Sequence, residues 1–233
     1  MRRQNEMILD KVKNGIIVSC QALEDEPLHS PFIMGRMAKA ATEGKAVGIR
    51  ANSAADIKEI KKNTKLPVIG IVKKDYDDSP IYITPTDKEI KELANTDCEM
   101  IALDATIRHR HNNQSLKDFV KKIREISTEK YLMADIATLD EAIQAQQLGF
   151  DCVSTTLIGY TEQTVGQNIA DNDFDILKQI LGTVTIPVLA EGHIDTPEKA
   201  KRCLELGAHA VVVGSAITRP QLITRRFTEF VSK

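Results

Sequence analysis

MIALDATIRHRHNNQSLKDFVKKIREISTEKYLMADIAT, spanning Met100–Thr138, decides the fold. It opens on an apolar run, MIALDAT (Met100–Thr106), and crosses a polar loop. It then enters Ser115–Ser127, where Leu116, Phe119, Val120, Ile123 and Ile126 fall on one face of a helix. It closes on a second apolar run, YLMADIAT (Tyr131–Thr138). Both runs are too short for a typical helix. Near-continuous apolarity, rather than strict alternation, marks a parallel strand covered on both faces. The stretch therefore reads as one strand–helix–strand unit.

The same alternation extends in both directions. Upstream lie GIIVSC (Gly15–Cys20), AVGIRA (Ala46–Ala51) and PVIGIVK (Pro67–Lys73), and downstream CVSTTL (Cys152–Leu157), PVLAEG (Pro187–Gly192) and AVVVG (Ala210–Gly214). Helical patterns separate them. Thr86 with Glu89, and Thr138 with Glu141, have the spacing of a capping box. Ser53 can cap a helix holding Ile57 and Ile60, and Pro197 and Gly207 bracket another helix. Eight such pairs in about 220 residues give a period of about 27, as expected for an α/β chain folded as a (β/α)8 TIM barrel. The rival doubly wound sheet would carry a Gly-rich first turn, and GxGxxG is absent. No linker divides the chain, so one domain is expected over residues 1–233, with residues 1–14 supplying an extra N-terminal helix that plugs the barrel's bottom.

Composition narrows the class of function. The 233 residues are 42% hydrophobic and 27% charged, and the formal net charge is -2. A nucleic-acid or anionic-membrane partner would leave a basic footprint, so neither is expected. Cys20, Cys98, Cys152 and Cys203 form no CxxC pair, which suits reduced thiols rather than a zinc knuckle. No apolar run approaches a signal peptide or a membrane span, so a cytoplasmic location is expected. The five histidines do not group into a metal site; His193 is the one to watch, because it follows Glu191-Gly192.

Barrel active sites form at the C-terminal ends of the strands. Polar residues there are Ser19, Gln21, Arg50, Asn52, Lys73, Asp104, Thr106, Asp135, Thr155, Thr156, Glu191 and Ser215. Lys73 ends the run VIGIV, where lost solvation would lower its pKa and free it to act as base or nucleophile. The plainer alternative is a rim lysine paired with a carboxylate. Asp135 and Glu191 could polarise a substrate, orient the lysine or exchange a proton; they could equally serve as structural ion-pair partners. Gly192, Gly214 and Ser215, with Arg219 beyond, lie after strands seven and eight, where barrels often hold phosphate.

These motifs resemble one family. VSCQAL (Val18–Leu23), EPLH (Glu26–His29), GIRAN (Gly48–Asn52), IGIVK (Ile69–Lys73), ALDAT, MADIAT, the Thr155–Thr161 segment, AEG and VVVGSAITRP (Val211–Pro220) are similar to those of N-acylmannosamine-6-phosphate 2-epimerases. The resemblance implies inversion at C2 between N-acetylmannosamine 6-phosphate and N-acetylglucosamine 6-phosphate, in sialic-acid catabolism, with no cofactor and no metal. It implies Lys73, Glu191 and Asp135 as catalytic residues. It assigns Gln21, Arg50, Thr155 and Tyr160 to the sugar, and Gly192, Gly214, Ser215 and Arg219 to the phosphate. The partner implied is a small phosphorylated amino sugar; barrels of this type often pair, so a homodimer is the expected assembly. A Schiff-base aldolase using Lys73, or another phosphosugar barrel, is the alternative. The Thr155–Asn172 stretch has the look of a lid.

Overall fold

Each of the eight apolar runs hydrogen-bonds in parallel to the next, and the last returns to the first. The result is a closed barrel in the order of the chain. The structure is a computed structural model and describes residues 6–232; the first five residues of the expected N-terminal helix lie outside it. The strands are β1 (Ile16–Cys20), β2 (Gly48–Asn52), β3 (Val68–Ile71), β4 (Met100–Asp104), β5 (Tyr131–Asp135), β6 (Cys152–Ser154), β7 (Val188–Ala190) and β8 (Ala210–Val213). The helices are α1 (Glu6–Val12), α2 (Pro31–Glu43), α3 (Ala54–Asn63), α4 (Asp87–Ala94), α5 (Leu116–Ile126), α6 (Leu139–Gln147), α7 (Asp171–Thr183), α8 (Pro197–Glu205), α9 (Ser215–Thr218) and α10 (Pro220–Val231).

Local chemistry starts these helices where the sequence places them. Thr86 and Glu89 close a capping box on α4, and Thr138 and Glu141 close another on α6. Ser53 accepts from the Asp56 N–H at the start of α3, and Pro197 occupies the first turn of α8. Such caps are each worth about 1 kcal/mol. At the C-terminal end the one-turn α9 starts directly after Gly214 and leads through Arg219 into α10.

Two apolar layers follow from the period-two alternation of each strand. Ile17, Ile69, Ile71, Met100, Ala102, Met133, Cys152, Leu189 and Val212 fill the barrel interior. Their neighbours Val18, Ile49, Ile101, Leu103, Leu132, Val153, Val211 and Val213 pack outward against the helices. Ile8 and Val12 of α1 join the interior layer from below, and His209 on the α8–β8 turn fixes that helix through a 2.7 Å contact from Nε2 to the Leu9 carbonyl. All four cysteines are buried and free, and burial pushes the Cys20 and Cys203 thiols up to about 12. They act as small hydrophobes. Among the described residues no helix is long and apolar enough to cross a membrane. The α10 helix lies on the surface and exposes Phe227, Phe230 and Val231.

Candidate active site

The alternation that fills the interior also aims the last inward residue of every strand but β4 at the cavity in the barrel mouth. From β1 these are Ser19 and Gln21; from β2, Arg50; beyond β3, Lys73. From β5 and β6 they are Asp135, Ser154 and Thr156, and beyond β7 and β8 they are Glu191 and Gly214. A cavity of about 380 Å³ opens here, bounded by Gln21, Arg50, Lys73, Tyr82, Thr156, Tyr160, Glu191 and His193, and running to Gly192, Gly214, Ser215 and Arg219.

Arg50 organises the floor. Its side chain is 1% exposed and that of Asp135 0%. The guanidinium donates from Nη2 to Asp135 Oδ2 (2.6 Å) and from Nη1 to Asp135 Oδ1 (3.0 Å). Nη1 also donates to Glu191 Oε2 at 2.7 Å. The Thr156 hydroxyl sits among the carboxylates, 2.7 Å from Asp135 Oδ1 and 3.1 Å from Glu191 Oε2, and the Ser154 hydroxyl lies 3.2 Å from the same Glu191 oxygen. The fork-to-carboxylate pair of Arg50 and Asp135 is mutually neutralising. Glu191 is then the surplus negative charge of a buried cluster. Burial raises its pKa, the Asp135 charge adds to the rise, and Arg50 opposes both. Arg50 itself is held firmly cationic by the two carboxylates, against its burial.

Lys73 stands beyond β3, four strands around the ring from Glu191 and so across the mouth from it. Its backbone N–H donates to Asn52 Oδ1 at 2.8 Å. The chain then turns back on itself, pairing Lys73 with Ile83 and bringing Tyr82 and Ile83 over the barrel. Burial lowers the Lys73 pKa to about 8; the Arg50 and Arg219 cations add to the fall, while Glu191 and Glu26 oppose it. Two titratable groups, pushed toward each other from opposite ends of the scale, thus face one another across one cavity. That is the pattern of an acid–base pair.

At the far side of the cavity Arg219 follows α9. Its Nη2 donates to Glu26 Oε2 at 3.0 Å, its Nε lies 2.7 Å from Glu26 Oε1, and its Nη1 donates to Ser215 Oγ at 3.1 Å. Gly192 has φ +96°, a backbone that favours glycine. Tyr160, from the β6–α7 loop, covers this end with its ring stacked on His193.

The structure gathers Lys73, Glu191, Gln21, Arg50, Tyr160, Gly192, Gly214, Ser215 and Arg219 at one cavity. Two residues sit differently from expectation. Thr155 faces away: its hydroxyl donates to the Glu191 carbonyl (2.7 Å) and accepts from the Glu191 N–H (2.9 Å), so it pins β7 while Thr156 lines the cavity. Asp135 lies beneath the cavity wall, fully buried, and holds Arg50 and Thr156. Tyr82 and Glu26 were not singled out as site residues. Tyr82 sits between a strand and a helix, in a run too short to read as an element, and Glu26 lies outside the cavity lining, joined to it by Arg219. Among the described residues no three His, Cys, Asp or Glu side chains gather as a metal site requires.

Comparison with known proteins points to one family. Residues 34–233 match a family profile described as "Putative N-acetylmannosamine-6-phosphate epimerase". Proteins from Oceanobacillus iheyensis and Clostridioides difficile named as 2-epimerases of that substrate are each 60% identical, over 94% and 96% of this chain and 99% of their own. The solved N-acetylmannosamine-6-phosphate 2-epimerase from Clostridium perfringens superposes with a TM-score of 0.90 at 59% identity, covering 95% of both chains.

Proposed function

This chain belongs to the N-acetylmannosamine-6-phosphate epimerase family, and we propose that its cavity interconverts N-acetylmannosamine 6-phosphate and N-acetylglucosamine 6-phosphate by moving a proton on and off C2, with Lys73 and Glu191 serving opposite faces. In the open-chain sugar C2 is α to the aldehyde. Neutral Lys73 takes the C2 proton, the C–H electron pair forms the C1–C2 double bond, and negative charge gathers on O1. The Arg50–Asp135 pair supplies fixed, oriented N–H groups at the cavity floor for that charge, and such preorganised electrostatics is commonly the largest single contribution to a step of this kind. In its protonated form, which burial favours, Glu191 returns a proton to C2 from the other side. In the reverse direction the roles exchange: Glu191 abstracts and the Lys73 ammonium donates. Gly192, Gly214, Ser215 and Arg219 hold the 6-phosphate and Gln21 and Tyr160 the sugar.

The observation that carries this reading is the placement of Lys73 and Glu191 four strands apart across one mouth, with pKa values shifted toward each other. Exchange in heavy water tests it. The wild type should convert either epimer with deuterium entering C2. Glu191→Gln should exchange the C2 hydrogen of one epimer without inverting it, and Lys73→Gln should exchange only the other. Loss of exchange from both epimers in Lys73→Gln, with both retained in Glu191→Gln, would overturn the two-sided assignment. A borohydride-trapped adduct at Lys73 would replace proton transfer by imine chemistry.

A further inference from the structure

His193 lines the mouth without a part in the reaction, and several features of it are unusual. It occupies the left-handed backbone region at φ +54°, which His tolerates better than most side chains but which still marks a position shaped by its surroundings. Its Nε2 is buried with no hydrogen-bond partner, a cost of about 1–3 kcal/mol unless something offsets it. Its ring is stacked on Tyr160, with centroids 4.9 Å apart and planes 10° from parallel. The loop above passes close to the ring. Gly159 has φ +88°, and a Cβ there would lie 3.0 Å from His193 Nε2 and 2.4 Å from the Gln167 carbonyl oxygen.

Tyr160 gives these features a purpose. It is 54% exposed, yet it lines the cavity, and the charges acting on its hydroxyl are Arg219 and Glu191. A large aromatic side chain left this open would ordinarily sample several rotamers. Stacking on a ring anchored in the β7–α8 turn holds it in one, and parallel aromatic pairs of this kind contribute about 0.5–1.5 kcal/mol beyond the area they bury.

We propose that His193 is a positioning residue: its imidazole, stacked beneath Tyr160, holds that ring over the cavity between the Glu191 and Arg219 ends, as a wall against which the phosphorylated sugar is bound. The proposal rests on the reading of the cavity as a sugar-phosphate site. It assigns His193 no proton transfer and no contact with the reacting atoms. What matters is a flat ring, so the nitrogen should be dispensable.

A double-mutant cycle on kcat and KM, with thermal unfolding measured in parallel, tests this. His193→Phe keeps a stacking ring and removes the unpartnered nitrogen. It should hold kcat/KM within about twofold, even if the left-handed backbone lowers its unfolding temperature. His193→Asn keeps a residue suited to the left-handed backbone but removes the ring. It should raise KM about tenfold, as expected for loss of roughly 1.4 kcal/mol of binding, with kcat changed less. In a Tyr160→Ala background, His193→Asn should add nothing further. Additive losses would overturn the proposal, because a structural role for His193 would not depend on Tyr160. A His193→Phe variant as impaired as His193→Asn would overturn it too, by assigning the function to the nitrogen. Absence of epimerisation in the wild type would instead sink the functional reading on which it rests.

Discussion

Lys73 and Glu191 share one constraint at the level of single residues. A proton must leave one side chain and arrive from the other, so the working enzyme carries one proton across the pair, whichever direction it runs. Activity should therefore rise as the first proton of the doubly protonated pair is lost and fall as the last one goes. The pair titrates as a unit, so these limbs belong to both groups. Even so, the upper limb reports chiefly on Lys73 and should fall near its pKa of about 8. A lysine acting alone as base on both faces would give the opposite, a rise through the same pH. Glu26 supplies a check on sign. Its carboxylate, held by Arg219 and the Leu23 N–H, favours the Lys73 ammonium. Glu26→Gln removes that support, so the upper limb of kcat/KM should move to lower pH and narrow the bell. A limb that moved upward would contradict the assignment.

Strands decide which residues can meet the substrate. In β6 and its extension, Cys152 fills the interior, so Ser154 and Thr156 point inward and Thr155 points out. Strand ends were legible from apolar runs alone, and with them Arg50, Lys73, Asp135 and Glu191. The facing of Thr155 was also legible in principle, by counting in twos from Cys152, but identifying strand ends without that count treats adjacent residues alike. Asp135 passes the count and still lies beneath the surface, because Arg50 covers it, and no sequence pattern shows one side chain lying over another. The distinction between the threonines has measurable consequences. Thr156→Val removes a hydroxyl that favours the Glu191 carboxylate, so it should move the lower limb of the pH profile upward and cut kcat/KM about tenfold or more, as loss of a hydrogen bond to a buried charge predicts. Thr155→Val breaks two bonds to the Glu191 backbone and should show mainly as a lower unfolding temperature, with the limbs in place. Limbs shifted in Thr155→Val and fixed in Thr156→Val would reverse the assignment.

Across the whole molecule, the barrel reads clearly from sequence because eight buried strands and their capped helices repeat one local signal. The loops that close over the mouth carry no such period; the turn-back from Lys73 to Ile83, α9 and the Tyr160–His193 stack arise from contacts between distant segments. The stable scaffold carries a destabilising site, and Lys73 measures by how much. Its folded pKa of about 8 lies below the ordinary 10.5 because burial and two arginines outweigh Glu191 and Glu26. Between these values the unfolded chain binds the extra proton, so wild-type stability should rise with pH through that window. Below about pH 8 the penalty is present in full; above about 10.5 neither state holds the proton and the penalty is gone. A shift of this size corresponds to about 3 kcal/mol at most, reduced to about 1–3 kcal/mol by partial solvent access. Lys73→Met keeps the side chain's length and removes its charge. It should epimerise at least about a hundredfold more slowly, the usual contribution of a positioned acid–base group. It should nevertheless unfold several degrees higher at pH 7, and that advantage should shrink as pH approaches 10. An inactive variant no more stable than wild type at pH 7 would mean that the mouth favours the ammonium after all, and with it would go the argument for a lysine ready to lose its proton.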